Sequence, residues 1–211
     1  MSKFYPILID IEGKDVLFVG GGKVAERKIR SLVEFGANVY VVSKEMTEGL
    51  RKLEKEGKIV YLGKDFSLKH LEDKFLVFVA TDDKKLNDQV AKEAKRRGIL
   101  VNSADKPEIC DFILPSFLKR GDLIICVSTS GKSPALAKAI RKELEERYGE
   151  EYKGFLNIIY AVRYAMNSLD ISEDVKKKVY DFLINSDLLY KIKKKDIPGV
   201  IETLERIKEV V

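Results

Sequence analysis

The strongest chemical signal in the chain is Gly20-Gly21-Gly22-Lys23-Val24-Ala25-Glu26-Arg27-Lys28. Gly20, Gly22 and Ala25 occupy the three positions of a G-x-G-x-x-G/A turn. The first glycine permits a tight turn, the second lets a pyrophosphate approach the backbone, and the third small residue lets a helix pack closely on a strand. A phosphate held there would meet free N–H groups and the positive end of a helix dipole. Gly21, Lys23 and Val24 complete the expected dinucleotide loop. The same glycine pattern also arises as a purely structural turn, but here an apolar strand precedes it and a periodic helix follows.

Three further segments carry groups able to do chemistry. At 43–45 the chain reads Ser43-Lys44-Glu45, where NAD-preferring folds usually place an acid against the ribose hydroxyl. Ser43 could hydrogen-bond a ribose and Lys44 could attract a 2′-phosphate, so NAD is expected while NADP stays open. Thr81, in Ala80-Thr81-Asp82-Asp83, either lines a cofactor site or caps the next helix, a role Asp82 and Asp83 could also fill. Asp105 precedes Lys106-Pro107, and is either a turn residue or a proton-moving carboxylate, the latter favoured if burial raises its pKa. The segment 128–134 offers hydroxyls, a glycine, Lys132 and a Ser133-Pro134 helix start, a reasonable anion site that is equally an ordinary cap. The single histidine, His70, has no partner at ligand spacing, so no metal site is expected. No serine or cysteine stands beside a recognisable base, which leaves nucleophilic catalysis unsupported. Cys110 and Cys126 lack CxxC spacing and read as structural thiols in a reducing compartment.

These groups need a frame. Strand-like runs at 15–19, 38–42, 59–62, 75–80 and 100–102 are continuously apolar, as strands buried on both faces are. Amphipathic stretches separate them: Val24, Ala25, Lys28, Ile29 and Leu32 share one face, as do Leu86, Val90 and Ala94. Apolar runs at 112–118 and 123–128, divided by Lys119-Arg120-Gly121-Asp122, predict a hairpin. A helix should run from Pro134 to about Tyr148, and only helices follow. Three stripes mark them: Phe155, Ile159, Val162, Met166 and Leu169; Val175, Val179 and Phe182; and Val200, Leu204, Ile207 and Val211, with Ser172 and Asp196 as caps. Stripes this narrow should need another surface to pack on. The expected fold is therefore α/β: a Rossmann-type doubly wound parallel sheet over 1–111, a hairpin and helix over 112–150, and an all-helical extension over 151–211.

The 39 basic and 34 acidic side chains leave a net charge of +5 on 211 residues. Such an excess fits nucleic acid, a membrane surface or a polyanionic small molecule, but the charges interleave along helical faces and read first as a solvated surface. No leader pattern or membrane-spanning apolar run is visible, so a soluble cytoplasmic protein is expected. No helix-turn-helix or winged pattern points to nucleic acid.

The segments 20–28, 80–83, 102–105, 112–115 and 130–134, with Tyr5-Pro6-Ile7-Leu8-Ile9-Asp10 before them, stand in the order and spacing of one family. Together they resemble the precorrin-2 dehydrogenase domain of sirohaem synthases, over about residues 4–148. The resemblance implies oxidation of precorrin-2 to sirohydrochlorin with NAD⁺ taking the hydride, followed in some members by ferrous iron insertion. It implies Asp105 as the active-site aspartate and Gly20 through Val24 as the dinucleotide turn, with Ser43 to Glu45 near the adenosine ribose. It places Asn102, Ser130, Lys132 and Ser133 toward the tetrapyrrole, and it implies a homodimer in which hairpin and helices are exchanged. One position departs: where the family often has Ser-Ser-Gly-Gly, this chain has Ser128-Thr129-Ser130-Gly131. Two other readings compete, a sirohydrochlorin ferrochelatase without dehydrogenase activity and a non-catalytic NAD(H)-sensing module.

Overall fold

Val16 to Val19 are four successive apolar residues, each at most 2% exposed, which requires a strand covered on both faces. The computed structural model describes residues 4–169 and 171–210, so Val211 of the third stripe lies outside the described residues. The chain divides into two compact units, 1–114 and 115–211.

The first unit is a five-stranded parallel sheet. Its strands are β1 (Asp15–Val19), β2 (Asn38–Val42), β3 (Ile59–Gly63), β4 (Leu76–Val79) and β5 (Leu100–Ser103), in the order β3-β2-β1-β4-β5. Helices α1 (Lys23–Glu34), α2 (Glu48–Lys55) and α3 (Lys84–Arg96) join them. Successive strand residues face opposite sides. Val16, Phe18, Val39, Val41 and Phe78 pack with Ala25, Ile29 and Leu32 of α1 and Leu50 and Leu53 of α2. Leu17, Val19, Val77, Val79 and Val101 pack with Val90, Ala91 and Ala94 of α3. Phe18 and Phe78, paired in register on β1 and β4, stack with centroids 4.5 Å apart. Strand order reverses between β1 and β4, and ligands bind outside the carboxyl ends of strands at such a switch point.

The structure departs from expectation in three places here. Val24 is not on the core face of α1; it is 48% exposed at the first turn. Helix α2 carries only two buried apolar residues, Leu50 and Leu53, too few to show periodicity, and is set by Thr47, whose hydroxyl accepts from the Leu50 N–H. The apolar run at 112–118 is not one strand. Phe112 turns its ring edge onto Phe78, centroids 5.3 Å apart, and Pro115 has no N–H for a ladder, so pairing starts at Ser116.

The second unit opens with the antiparallel hairpin β6 (Ser116–Arg120) and β7 (Leu123–Val127), turned by Gly121 at φ +62°. Helix α4 (Pro134–Arg147) packs on it, and α5 (Glu151–Asn167), α6 (Glu173–Asn185), α7 (Leu188–Lys194) and α8 (Ile197–Glu205) follow. Ser172 and Asp196 cap α6 and α8 as expected. The additional helix α7 brings Leu188 onto Met166, Val179 and Leu183, so these helices gather a core of their own. Leu183 is fully buried within it. Leu183→Ala should therefore destabilise the second unit by about 2–5 kcal/mol, read as a lowered denaturant midpoint. A loss under ~1 kcal/mol would show that this cluster is not a closed core.

Candidate active site

Gly20 leaves β1 at φ +114°, a conformation that L side chains rarely adopt. A Cβ there would run into the Ala80 carbonyl, with its carbon at 2.6 Å, so the turn presses directly on the end of β4. The Gly20 N–H donates to the Val42 carbonyl at 2.9 Å, tying the turn to β2 as well. Gly21 is buried under the loop after β2: its carbonyl accepts from the Thr47 N–H, and a Cβ would meet the Glu45 carbonyl oxygen at 2.6 Å. Gly22 faces open space and is the N-cap of α1, with no side chain bonded to the helix end. The first-turn amides, including those of Lys23 and Val24, have no partner within the helix. By contrast α2, α3 and α4 are capped by Thr47, Asp83 and Ser133. An uncapped amide cluster beside open space, at a glycine turn that closes no other way, fits a dinucleotide pyrophosphate.

At the end of β2 the Ser43 hydroxyl donates to the Glu45 carbonyl at 2.5 Å, and Tyr61 donates its hydroxyl to the Ser43 carbonyl. Ser43 is thus engaged in shaping its own loop, while Lys44 and Glu45 stay exposed.

On the other side of the switch point, Asp83 caps α3 by accepting from the Lys85 and Leu86 N–H groups. Thr81 is left to a different partner: its hydroxyl donates to Asn87 Oδ1 at 2.6 Å. The Asn87 amide in turn donates to the Thr81 carbonyl at 2.9 Å and to Asp105 Oδ2 at 3.3 Å. Ser103 donates its hydroxyl to Asp105 Oδ1 at 2.5 Å. Asn87, only 1% exposed, therefore links the loop after β4 to the loop after β5. Asp105 is exposed, and its pKa is lowered from the ordinary aspartate value, first by the Ser103 hydroxyl; desolvation opposes this, and Asn87 adds to the lowering. The condition of a carboxyl raised by burial is not met: donors aimed at the ionised form outweigh burial here.

Asn102 is 5% exposed and its polar atoms are spent inside the protein. It accepts from the Lys28 ammonium at 2.7 Å and donates to the Phe112 carbonyl at 2.9 Å. A substrate contact through that amide would require breaking these bonds, so the structure gives Asn102 an internal role instead. Lys28 also lies 5.4 Å from the Phe78 ring centroid, and burial pushes its pKa down. Sequence reasoning placed Lys28 on the apolar face of α1 without asking what a lysine does there, and it missed Asn87 and Ser103 entirely. A lysine in phase with Ala25, Ile29 and Leu32 was the available signal for the first; the others carry none. His70 caps a short 3₁₀ turn, its Nδ1 accepting from the Ser67 N–H. Cys110 is buried, Cys126 exposed, and both are free. No group of potential ligands able to hold a metal is found among the described residues.

Ser130, Lys132 and Ser133 belong to the second unit. Ser130 sits at φ +53° beside Gly131 at +84°, and the turn is closed by the Ser133 N–H donating to Thr129 Oγ1. Ser133 caps α4 by accepting from the Leu136 N–H, as expected, and Lys132 is exposed.

A parallel sheet with this glycine turn at its switch point and an uncapped helix end beside it defines a Rossmann-type dinucleotide-binding protein. The family described as Putative NAD(P)-binding matches residues 7–116, and the one described as Sirohaem biosynthesis protein central matches 120–147. Siroheme synthase 1 of Serratia proteamaculans is 41% identical over 142 residues, covering 67% of this chain and 30% of that protein. Siroheme synthase of Nitrosococcus oceani is 42% identical over 150 residues, covering 71% and 32%. The chain thus spans about a third of the length of the curated relatives it matches. A solved structure described as SirC, precorrin-2 dehydrogenase, aligns with a TM-score of 0.78 at 28% identity, covering 98% of this chain and all of that one. The chain belongs to the putative NAD(P)-binding family. No helix among the described residues is long and apolar enough to cross a membrane.

The Asp105 carboxyl gives a direct check on the site's electrostatics. Its folded pKa is depressed, so its contribution to stability is present above the unfolded value and fades as pH falls through the folded one. Ser103→Ala removes the largest lowering influence and should move the Asp105 pKa up toward 3.8 in a carboxyl NMR titration. An unmoved pKa would mean the Ser103 hydroxyl does not hold this carboxylate.

Proposed function

We propose that the protein oxidises precorrin-2 to sirohydrochlorin, with NAD⁺ as the hydride acceptor, in sirohaem formation. The names of its relatives support the substrate, and one observation carries the site assignment. Asp105 and Thr81, at the carboxyl edge of adjacent strands, are joined through buried Asn87. The glycine turn meets that same edge at Ala80.

Gly22 and the first-turn amides of Lys23 and Val24 would hold the pyrophosphate, with Ser43, Lys44 and Glu45 toward the adenosine and Thr81 toward the nicotinamide end. Bound NAD⁺ supplies the two-electron acceptor that the oxidation requires. The substrate loses a hydride and a proton, and this chain must deal with the proton. Asp105, ionised at neutral pH, accepts from the pyrrole N–H groups to orient the macrocycle and takes the proton released as conjugation extends. Asn87 and Ser103 hold the carboxylate in place. In the second unit, Lys132 and the amides at the start of α4 would receive an anion, with Ser130 and Ser133 shaping that turn.

Asp105→Asn should lower turnover at least 100-fold, about 2.7 kcal/mol in activation free energy, while NADH still binds. This is measured by anaerobic absorbance assays with precorrin-2 alongside NADH titration. Full turnover in the variant would sink the assignment of Asp105.

We also propose a homodimer formed through the hairpin and α4. Helix α4 buries only Ala137 and leaves Leu136 52% exposed, an apolar surface that a second copy would cover. Light scattering should return twice the chain mass, and Leu136→Lys should shift it toward the monomer; a monomeric parent protein excludes this arrangement.

A further inference from the structure

Position 43 at the end of β2 is a serine rather than an acid, with exposed Glu45 two residues on, and just beyond lies a cavity of about 240 Å³. Its lining is Lys44, Met46, Arg51, Glu54, Tyr61 and Lys64. Lys44 follows β2, Lys64 follows β3, and Arg51 and Glu54 are one turn apart on α2. Three cations thus converge with one carboxylate. Among the described residues none of the three cations forms an ion pair, whereas neighbouring Lys52 and Lys58 both pair with Glu56. A scattered, solvated surface would show no such concentration around one concavity.

Beside the cavity, hydrogen bonds fix the loop that carries the uncharged Ser43 at the ribose-reading position. Ser43 gives its hydroxyl to the Glu45 carbonyl, and Tyr61 gives its own to the Ser43 carbonyl. The Ser43 N–H donates to the Gly63 carbonyl, which draws the Lys64 end of β3 toward the Lys44 end of β2. In dinucleotide folds a carboxylate at this place hydrogen-bonds the ribose of NAD, and a nearby Arg accommodates the 2′-phosphate of NADP. This chain has no carboxylate at position 43 and an Arg on the following helix.

We infer that this cavity receives the 2′-phosphate of NADP(H), so that the domain takes both dinucleotides rather than NAD(H) alone. The inference rests on the reading above that a dinucleotide lies on the turn from Gly20 to Val24. Lys44, Arg51 and Lys64 supply charge-assisted donors to the phosphate, and Glu54 leaves a net charge of about +2 around it, counting three cations and one anion. Because the pocket is open to solvent, the preference it generates should weaken with salt.

Calorimetric titration of the full chain with NADH and NADPH, each at low and high salt, tests this. NADPH should bind within tenfold of NADH at low salt and lose affinity more steeply as salt rises. In the Arg51→Ala/Lys64→Ala double variant, its folding checked by thermal melting, the ratio of NADPH to NADH affinity should fall at least tenfold. Binding of NADH with NADPH more than tenfold weaker overturns the inference and leaves the cofactor site standing. An affinity ratio unchanged in the double variant also overturns it. If neither nucleotide binds, the cofactor reading itself falls, and this inference with it.

Discussion

Between Gly20 and the Ala80 carbonyl there is no room for a Cβ atom, and the rest of the site follows from that contact. The backbone leaves β1 at a positive φ, crosses the end of β4, and enters α1 within three residues. A side chain at position 20 would lift the turn off the sheet and carry the α1 amides away from Thr81. The cost would combine backbone strain of about 1–3 kcal/mol with a direct clash. The close approach also makes the switch point a shallow edge on which both the amide cluster and the loops after β4 and β5 open.

Those loops are held from two sides of the sheet. Asn102 and Ser103 are successive residues of β5 and so point to opposite faces. On the face packed by α1, Asn102 is clamped between the Lys28 ammonium and the Phe112 carbonyl. On the face packed by α3, Ser103 and Asn87 hold Asp105. Buried polar groups cost free energy unless their hydrogen bonds are made, and these are made. The result is a short polar layer across an apolar sheet end, which fixes where the Asp105 carboxylate stands better than apolar packing of a loop would.

The parts of this structure that were legible in sequence are those decided by local pattern. Val16 to Val19 or Leu76 to Val79, buried on both faces, leave an unbroken apolar run that only a central strand explains. Ser133-Pro134 and Ser172 announce helix starts because capping is a contact within four residues. Illegible parts depend on distant partners or on too few residues. Helix α2 shows two apolar positions, and α7 hides in a lysine-rich run where Leu188 alone reaches full burial. The site was legible as a glycine turn and an aspartate, but not as a network. Nothing around Asn87 in sequence reveals that its amide spans Thr81 and Asp105, because those partners meet only when β4 and β5 pair. The same gap left open which way the Asp105 pKa moves, since its nearest donor hydroxyl belongs to a strand end whose orientation the sequence does not show.

The lowered pKa of Asp105 also constrains how the proposed reaction disposes of its proton. A carboxyl raised by burial would store the proton until product release, and would need a second group to remove it. An exposed carboxylate with depressed pKa cannot keep a proton at neutral pH, so one taken from the macrocycle passes on to water at once. Such a group is a weak base, and its usefulness lies in being charged and correctly aimed, which is what Ser103 and Asn87 secure. It can then assist only where the substrate's own extending conjugation makes the departing proton acidic. On this reading the chain's task is to hold an anion at one place on the sheet edge.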